Sequence, residues 1–220
     1  MTGTGKSAKG KLAKAKVIVL VHGLGSNRLM MWLMAQRLAQ RGYRVENWGY
    51  RSTRRSLECH GQDLHARLQE LDGDANVREI HLVTHSMGGI VARSALGHGQ
   101  PAKLHRMVML CPPNRGSRWA TMFGPMLKPV CRTLDQLAAR PDSYVNTLPI
   151  PADLDVGIIA AAYDTLVPLD STYLGVERDH LVWPFTLHSG ILFRHGVAVQ
   201  ISHFLQRGEF FRDRSLAVSA

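Results

Sequence analysis

Residues 80–96 constrain this chain more than any other stretch. Ile80-His81-Leu82-Val83-Thr84-His85 is an apolar run with β-branched residues, Ile90-Val91-Ala92-Arg93-Ser94-Ala95-Leu96 is helix-forming, and only Ser86-Met87-Gly88-Gly89 lies between them. The pattern reads as buried strand, sharp turn, helix. A serine at such a turn holds a strained backbone conformation. Its oxygen leaves the end of the sheet, and the amides that follow, at a helix N-terminus, face any negative charge that develops there. Thr84 and Gly88, two residues either side of Ser86, are small enough for the tight turn, and Gly89 lets the helix approach the sheet closely.

The rest of the chain repeats the alternation. Val17-Ile18-Val19-Leu20-Val21 is a continuous apolar run, the mark of a parallel strand covered on both faces. A helix is expected from about Leu29 to Arg41, a second strand over 43–48, and a helix with Leu57, Leu64, Leu68 and Leu71 on one stripe. Further strands are expected over 105–110, 156–163 and 180–185. A terminal helix carries Val197, Ile201 and Leu205 and stops at Gly208. Between 119 and 151 the pattern loosens, because Pro125, Pro129 and Pro141 interrupt short apolar pieces. Strands alternating with helices imply an α/β fold: a mostly parallel sheet of about six strands with helices on both faces. At 220 residues this is one domain.

Net charge is +10, and part of it lies in residues 1–16, where Lys6, Lys9, Lys11, Lys14 and Lys16 stand among small residues. That segment has little to bury and is expected to be a disordered tail, with the folded domain spanning 17–220. The apolar run after it is too short for a signal peptide, and no stretch is long enough to span a bilayer, so the expected location is cytoplasmic. A solvated tail is the favoured reading, with weak contact to an anionic membrane surface, and so a peripheral location, as its alternative. No helix-turn-helix or RNA-binding signature supports a nucleic-acid partner. Cys59, Cys111 and Cys131 are odd in number and far apart, which fits a reducing compartment and offers neither a disulfide framework nor a metal pair.

Thr84-His85-Ser86-Met87-Gly88 resembles the nucleophile elbow of the α/β-hydrolase superfamily, with threonine in place of the first glycine of G-x-S-x-G. The likeness extends over about residues 17–210, through His22-Gly23-Leu24-Gly25, Tyr50-Arg51-Ser52 and Pro112-Pro113-Asn114-Arg115-Gly116-Ser117 to Phe204-Leu205 and Gly208-Glu209-Phe210. Together these are similar to compact bacterial serine hydrolases of the lipase and esterase type. The resemblance implies a minimal version of that fold, beginning at the equivalent of its third strand and lacking a large cap. It also implies cleavage of carboxylic esters through an acyl-enzyme, on a small-molecule ester or lipid; no cofactor is expected, and no metal, because His60 beside Cys59 and His81 near His85 lack a ligand spacing with matching partners.

A serine hydroxyl is a weak nucleophile that needs a base, and the base needs an orienting acid. Ser86 is the expected nucleophile. Asp164 follows the buried run Ile158-Ile159-Ala160-Ala161 and stands in Asp164-Thr165-Leu166-Val167-Pro168, similar to the D-x-x-V-P segment that carries the family's acid. Asp155 precedes that strand and Asp170 reads as a helix cap. The base is expected at His188, on a loop past the last strand, in Leu187-His188-Ser189-Gly190, which resembles the family's histidine loop. His180 opens the strand, and His195 and His203 belong to the terminal helix. The resemblance maps the oxyanion donors onto the backbone amides of Leu24 and Met87, and leaves His22 a structural role. Met122, Phe123, Met126 and Leu127 read either as an acyl groove or as plain core. Two other readings use the same residues: a thioesterase or acyltransferase with this triad, and a non-catalytic partner-binding member of the fold.

Overall fold

The computed structural model describes residues 14–127, 131–151 and 153–212. Its centre is one six-stranded sheet built from β1 (Ala15–Val21), β2 (Arg44–Trp48), β3 (Val77–His85), β4 (Leu104–Leu110), β5 (Asp155–Ala161) and β6 (Asp179–Trp183). The spatial order is β2-β1-β3-β4-β5-β6 and every neighbouring pair is parallel. Parallel strands need crossovers, and these are supplied by α1 (Arg28–Ala39), α2 (Leu57–Gly73), α3 (Met87–Gly97) and the segments between β4 and β5 and between β5 and β6. α8 (His195–Arg207) closes the chain against the sheet.

The period-2 alternation of β1 shows how the two faces are filled. Val17, Val19 and Val21 join the core formed with Leu64 and Leu68 of α2 and Ile90 and Val91 of α3. Ile18 and Leu20 join the opposite core, with Met31, Met34 and Leu38 of α1 and Val197, Ile201 and Phe204 of α8. Each of these side chains is fully buried. Full burial of one such side chain is worth about 1.5–3 kcal/mol, so the sheet is held from both sides by many comparable contributions.

β1 begins at Ala15. Ala15 and Lys16, expected in the tail, therefore belong to the sheet, because Ala15 pairs with Val77 and the Lys16 ammonium lies 2.9 Å from Glu79. Residues 1–13, where the rest of the tail was expected, lie outside the described residues. No described helix is long and apolar enough to cross a membrane. The loose region contains α4 (Arg118–Leu127), α5 (Arg132–Gln136) and α6 (Tyr144–Thr147), and a one-turn α7 (Leu169–Thr172) follows β5. Met122 and Met126 are mostly exposed on α4 and are not core. Asp170 lies in the first turn of α7, whose cap position is taken by Pro168.

Two buried histidines make the fold sensitive to acid. His81 and His85, on β3, are held neutral by burial, which lowers their pKa values to about 4 and about 3. The unfolded chain takes up a proton at each near pH 6.5, well before the folded chain does. It therefore binds more protons as pH falls through 6.5 towards 4, and stability drops there. The expected loss between pH 7.5 and pH 5 is about 2 kcal/mol per histidine. It is measured as a fall in the urea midpoint, and a midpoint unchanged at pH 5 would contradict this reading of β3.

Candidate active site

Because all six strands are parallel, their C-terminal ends lie at one edge of the sheet, and the chain reverses its winding between β1 and β3. A crevice opens at such a switch point. The loop after β1 and the turn after β3 flank it, and the loops after β5 and β6 reach the same edge.

Ser86 stands between β3 and α3 with φ 52° and ψ −127°, the strained conformation expected of the turn. Its backbone N–H donates to Leu110 O at 2.8 Å, and its carbonyl accepts from Gly89 N–H at 2.9 Å. The glycine requirement falls on Gly88. A Cβ there would lie 2.3 Å from Val21 O and 2.7 Å from His22 O, so α3 packs directly on the end of β1. At Gly89 a Cβ would meet first the flexible end of Met109, at 2.5 Å. Thr84 is fully buried within β3, in ordinary strand conformation, so a glycine's freedom is not required at that position.

Asp164 lies three residues past β5 and His188 five past β6. His188 Nδ1–H donates to Asp164 Oδ2 at 2.6 Å. The other carboxylate oxygen, Oδ1, accepts from the N–H groups of Leu166 and Val167, each at 2.9 Å. Burial works to raise the Asp164 carboxyl, but the His188 hydrogen bond and charge, with the two backbone donors, outweigh it and hold the group below the usual carboxylate range. The imidazole is thereby fixed with its proton on Nδ1 and its Nε2 free to accept.

Ser86 and His188 line one cavity of about 400 Å³, without a hydrogen bond between them. Gly23, Leu24, Trp119, Leu137 and Val167 complete much of its wall, and among the described residues no Lys, Arg, Asp or Glu side chain lines it. Neither Leu24 nor Met87 gives its backbone N–H to an acceptor among the described residues. Gly23 comes so close to Ser86 that a Cβ on it would lie 3.0 Å from Ser86 Cβ. Of the four side chains weighed for an acyl groove, Met122 and Phe123 line a neighbouring groove of about 400 Å³ that shares Trp119 and Leu166 with the first.

The competing residues are elsewhere. Asp155 opens β5 and is ion-paired with Arg106 and Arg178. His180, near the start of β6, stacks on Tyr173 at 4.3 Å between centroids and shares a 2.9 Å hydrogen bond with Thr172 Oγ1. His195 and His203 lie on α8. His22 holds the loop after β1: its ring bonds Gly23 O at 3.0 Å, accepts from Tyr50 N–H at 3.4 Å and stacks on Tyr50. Tyr50 O–H donates to His22 O, and Ser52 Oγ accepts from Gly25 N–H, so residues 50–52 brace that loop.

Two neighbours were not visible in the sequence. His85 Nε2–H donates to His188 O at 3.1 Å, tying the strand before Ser86 to the loop that carries His188. Cys111 sits at φ 47° at the end of β4, its sulfur within 4.8 Å of the Asp164 carboxylate and the His188 ring nitrogen. Burial, then the Asp164 charge, pushes its thiol up, so it stays protonated. A thiol, a carboxylate and an imidazole so placed could ligate a metal, but the 2.6 Å proton-mediated bond already occupies two of the three donors.

A family model described as Alpha/beta hydrolase family matches residues 18–210. A sequence search of curated proteins finds no match. Among solved structures, the mature form of the Bacillus licheniformis lipase BlEst2 aligns with a TM-score of 0.71 at 19% identity, over 90% of this chain and 93% of that one. A lipase-esterase related protein from Clostridium acetobutylicum gives 0.60 at 15% identity, covering 87% and 95%. Est1E from Butyrivibrio proteoclasticus, solved with ferulic acid bound, gives 0.63 at 13% identity, covering 91% and 92%. At such identities the likeness is one of fold.

Proposed function

This chain belongs to the alpha/beta hydrolase family, and from that premise we propose that it is a serine hydrolase cleaving carboxylic esters through an acyl-enzyme. The observation that carries the reading is the 2.6 Å Asp164–His188 bond, which aims a proton-accepting imidazole at the cavity that Ser86 also lines. His188 Nε2 removes the Ser86 hydroxyl proton as Oγ attacks the ester carbonyl carbon. The carbonyl oxygen becomes an oxyanion, which the Leu24 and Met87 N–H groups receive. The tetrahedral intermediate collapses, the ester C–O bond breaks, and His188 returns the proton to the leaving alcohol. Water then repeats the sequence on the acyl-enzyme, releasing the acid and restoring Ser86. Asp164 stays ionised throughout and stabilises the imidazolium that forms in each half.

The apolar wall, without ionised side chains, favours an uncharged acyl group and an ester over a carrier bearing phosphates. Hydrolysis of p-nitrophenyl butyrate and octanoate is compared with that of butyryl- and octanoyl-CoA. The expected result is a kcat/KM at least tenfold higher for the esters, a difference of about 1.4 kcal/mol in barrier. A preference for the thioesters would place the same residues in a thioesterase. No turnover of either class would favour a partner-binding role.

A further inference from the structure

Arg93, in the second turn of α3, is a buried cation without a counter-ion. Its side chain is 3% exposed. It donates Nη1–H to Asn114 O at 3.1 Å and Nη2–H to Leu148 O at 2.9 Å, while its Nε–H is buried without an acceptor. Burial lowers its pKa to about 10, and no carboxylate among the described residues pushes it back. Taking a guanidinium out of water with two neutral carbonyls and an idle donor is an unfavourable arrangement, the more so in a chain of net charge +10.

The same side chain lines two cavities. One, of about 210 Å³, has Asn114, Arg115, Asn146 and Tyr173 on its walls. The other, of about 70 Å³, lies against Gln100 and Pro149 and shares Arg93 and Ile150 with the first. Arg115 stands exposed with its guanidinium carbon 5.9 Å from the Tyr173 ring centroid, and it too has no carboxylate partner among the described residues. Among the described residues no acidic side chain lines either cavity. Asn114 adds an amide oxygen, Oδ1, that is buried without a donor. One wall therefore offers positive charge and unused donors together with one unused acceptor.

We propose that the 210 Å³ cavity is a binding site for a small oxyanion, a phosphate or carboxylate group, held by Arg93 from within and by Arg115 at the rim. A planar guanidinium fork matches such a group in geometry as well as charge. A hydroxyl on the ligand, as in hydrogen phosphate, meets Asn114 Oδ1. The site is distinct from the cavity of Ser86, but one loop serves both: Pro113 and Ser117 face the Ser86 cavity, and Asn114 and Arg115 face this one. An anion here clamps the loop between them.

The test is thermal unfolding of the full chain in sodium phosphate, sodium acetate and sodium chloride at matched ionic strength, at pH 7.5. It does not depend on ester turnover, and the Ser86→Ala variant should behave as the parent does. The expected result is a saturable rise in Tm with phosphate or acetate and none with chloride, roughly 3–6 °C at ten times the dissociation constant. A response to acetate alone identifies the ligand as a carboxylate, and one to phosphate alone as a phosphate group. Arg93→Met would leave two carbonyls unpaired and endanger folding, so the deciding variant is Arg115→Met, because the Arg115 side chain makes no hydrogen bond among the described residues. It should weaken the response about tenfold in concentration. A rise that does not saturate, or one identical in Arg115→Met, overturns the proposal, as does no rise with either anion.

Discussion

Ser86→Ala is expected to reduce ester turnover by four to six powers of ten, to the level left by binding and the oxyanion donors alone. Alanine keeps the Cβ and the backbone, so Tm should stay within a degree or two. Ser86→Gly separates chemistry from strain. It should be equally inactive, yet more stable by about 1 kcal/mol, because glycine holds φ 52° without the penalty a Cβ brings. Strain stored at the residue assigned the chemistry is expected only if position matters more than stability there. A Ser86→Gly variant that is less stable than the parent would remove that inference, and residual turnover above one per cent in Ser86→Ala would remove the nucleophile assignment.

His188→Ala should lose turnover by a comparable factor, since an unassisted serine hydroxyl is a poor nucleophile. The controls carry equal weight. His180→Ala removes a stack on Tyr173 and a bond to Thr172, and His195→Ala removes a 3.4 Å contact with Arg41, so both should retain turnover within a few-fold. His85 lies closer, its ring centroid 4.9 Å from that of His188, but burial keeps it neutral and its Nε2 proton is given to the His188 carbonyl. Its expected role is to position the loop, and His85→Ala should leave the pH dependence of turnover to His188. If His188→Ala kept near-normal turnover while His180→Ala or His195→Ala lost it, the base would have been placed on the wrong loop.

How much of the fold is legible in the sequence follows from how local each signal is. Val17 to Val21, the run before Ser86 and the run before Asp164 are strands filled on both faces, so their apolar continuity is written in adjacent residues, and each ends within three residues of a candidate side chain. The ends of the sheet's strands were less sharply marked. β6 stops at Trp183, two residues before the expected Phe185, and β1 extends back to Ala15 because its partner β3 offers Val77 and Glu79. Residues 118–151 were opaque because their helices are held from outside. In α6, four residues long, Ser143 ahead of the helix bonds Ala138 O and Arg140 O, contacts that no periodicity encodes. The His85–His188 tie spans 103 residues. Arg93 looked like an ordinary helix residue until burial left it without a counter-ion.

A serine activated by its surroundings reacts with a fluorophosphonate, so Ser86 is best probed by mass spectrometry of the full chain after exposure to that reagent. The expected result is a single phosphonyl adduct, located by proteolysis in the peptide containing Ser86, absent from Ser86→Ala and strongly slowed in His188→Ala. An adduct that persists in Ser86→Ala, or one that maps to another residue in the parent chain, would contradict it.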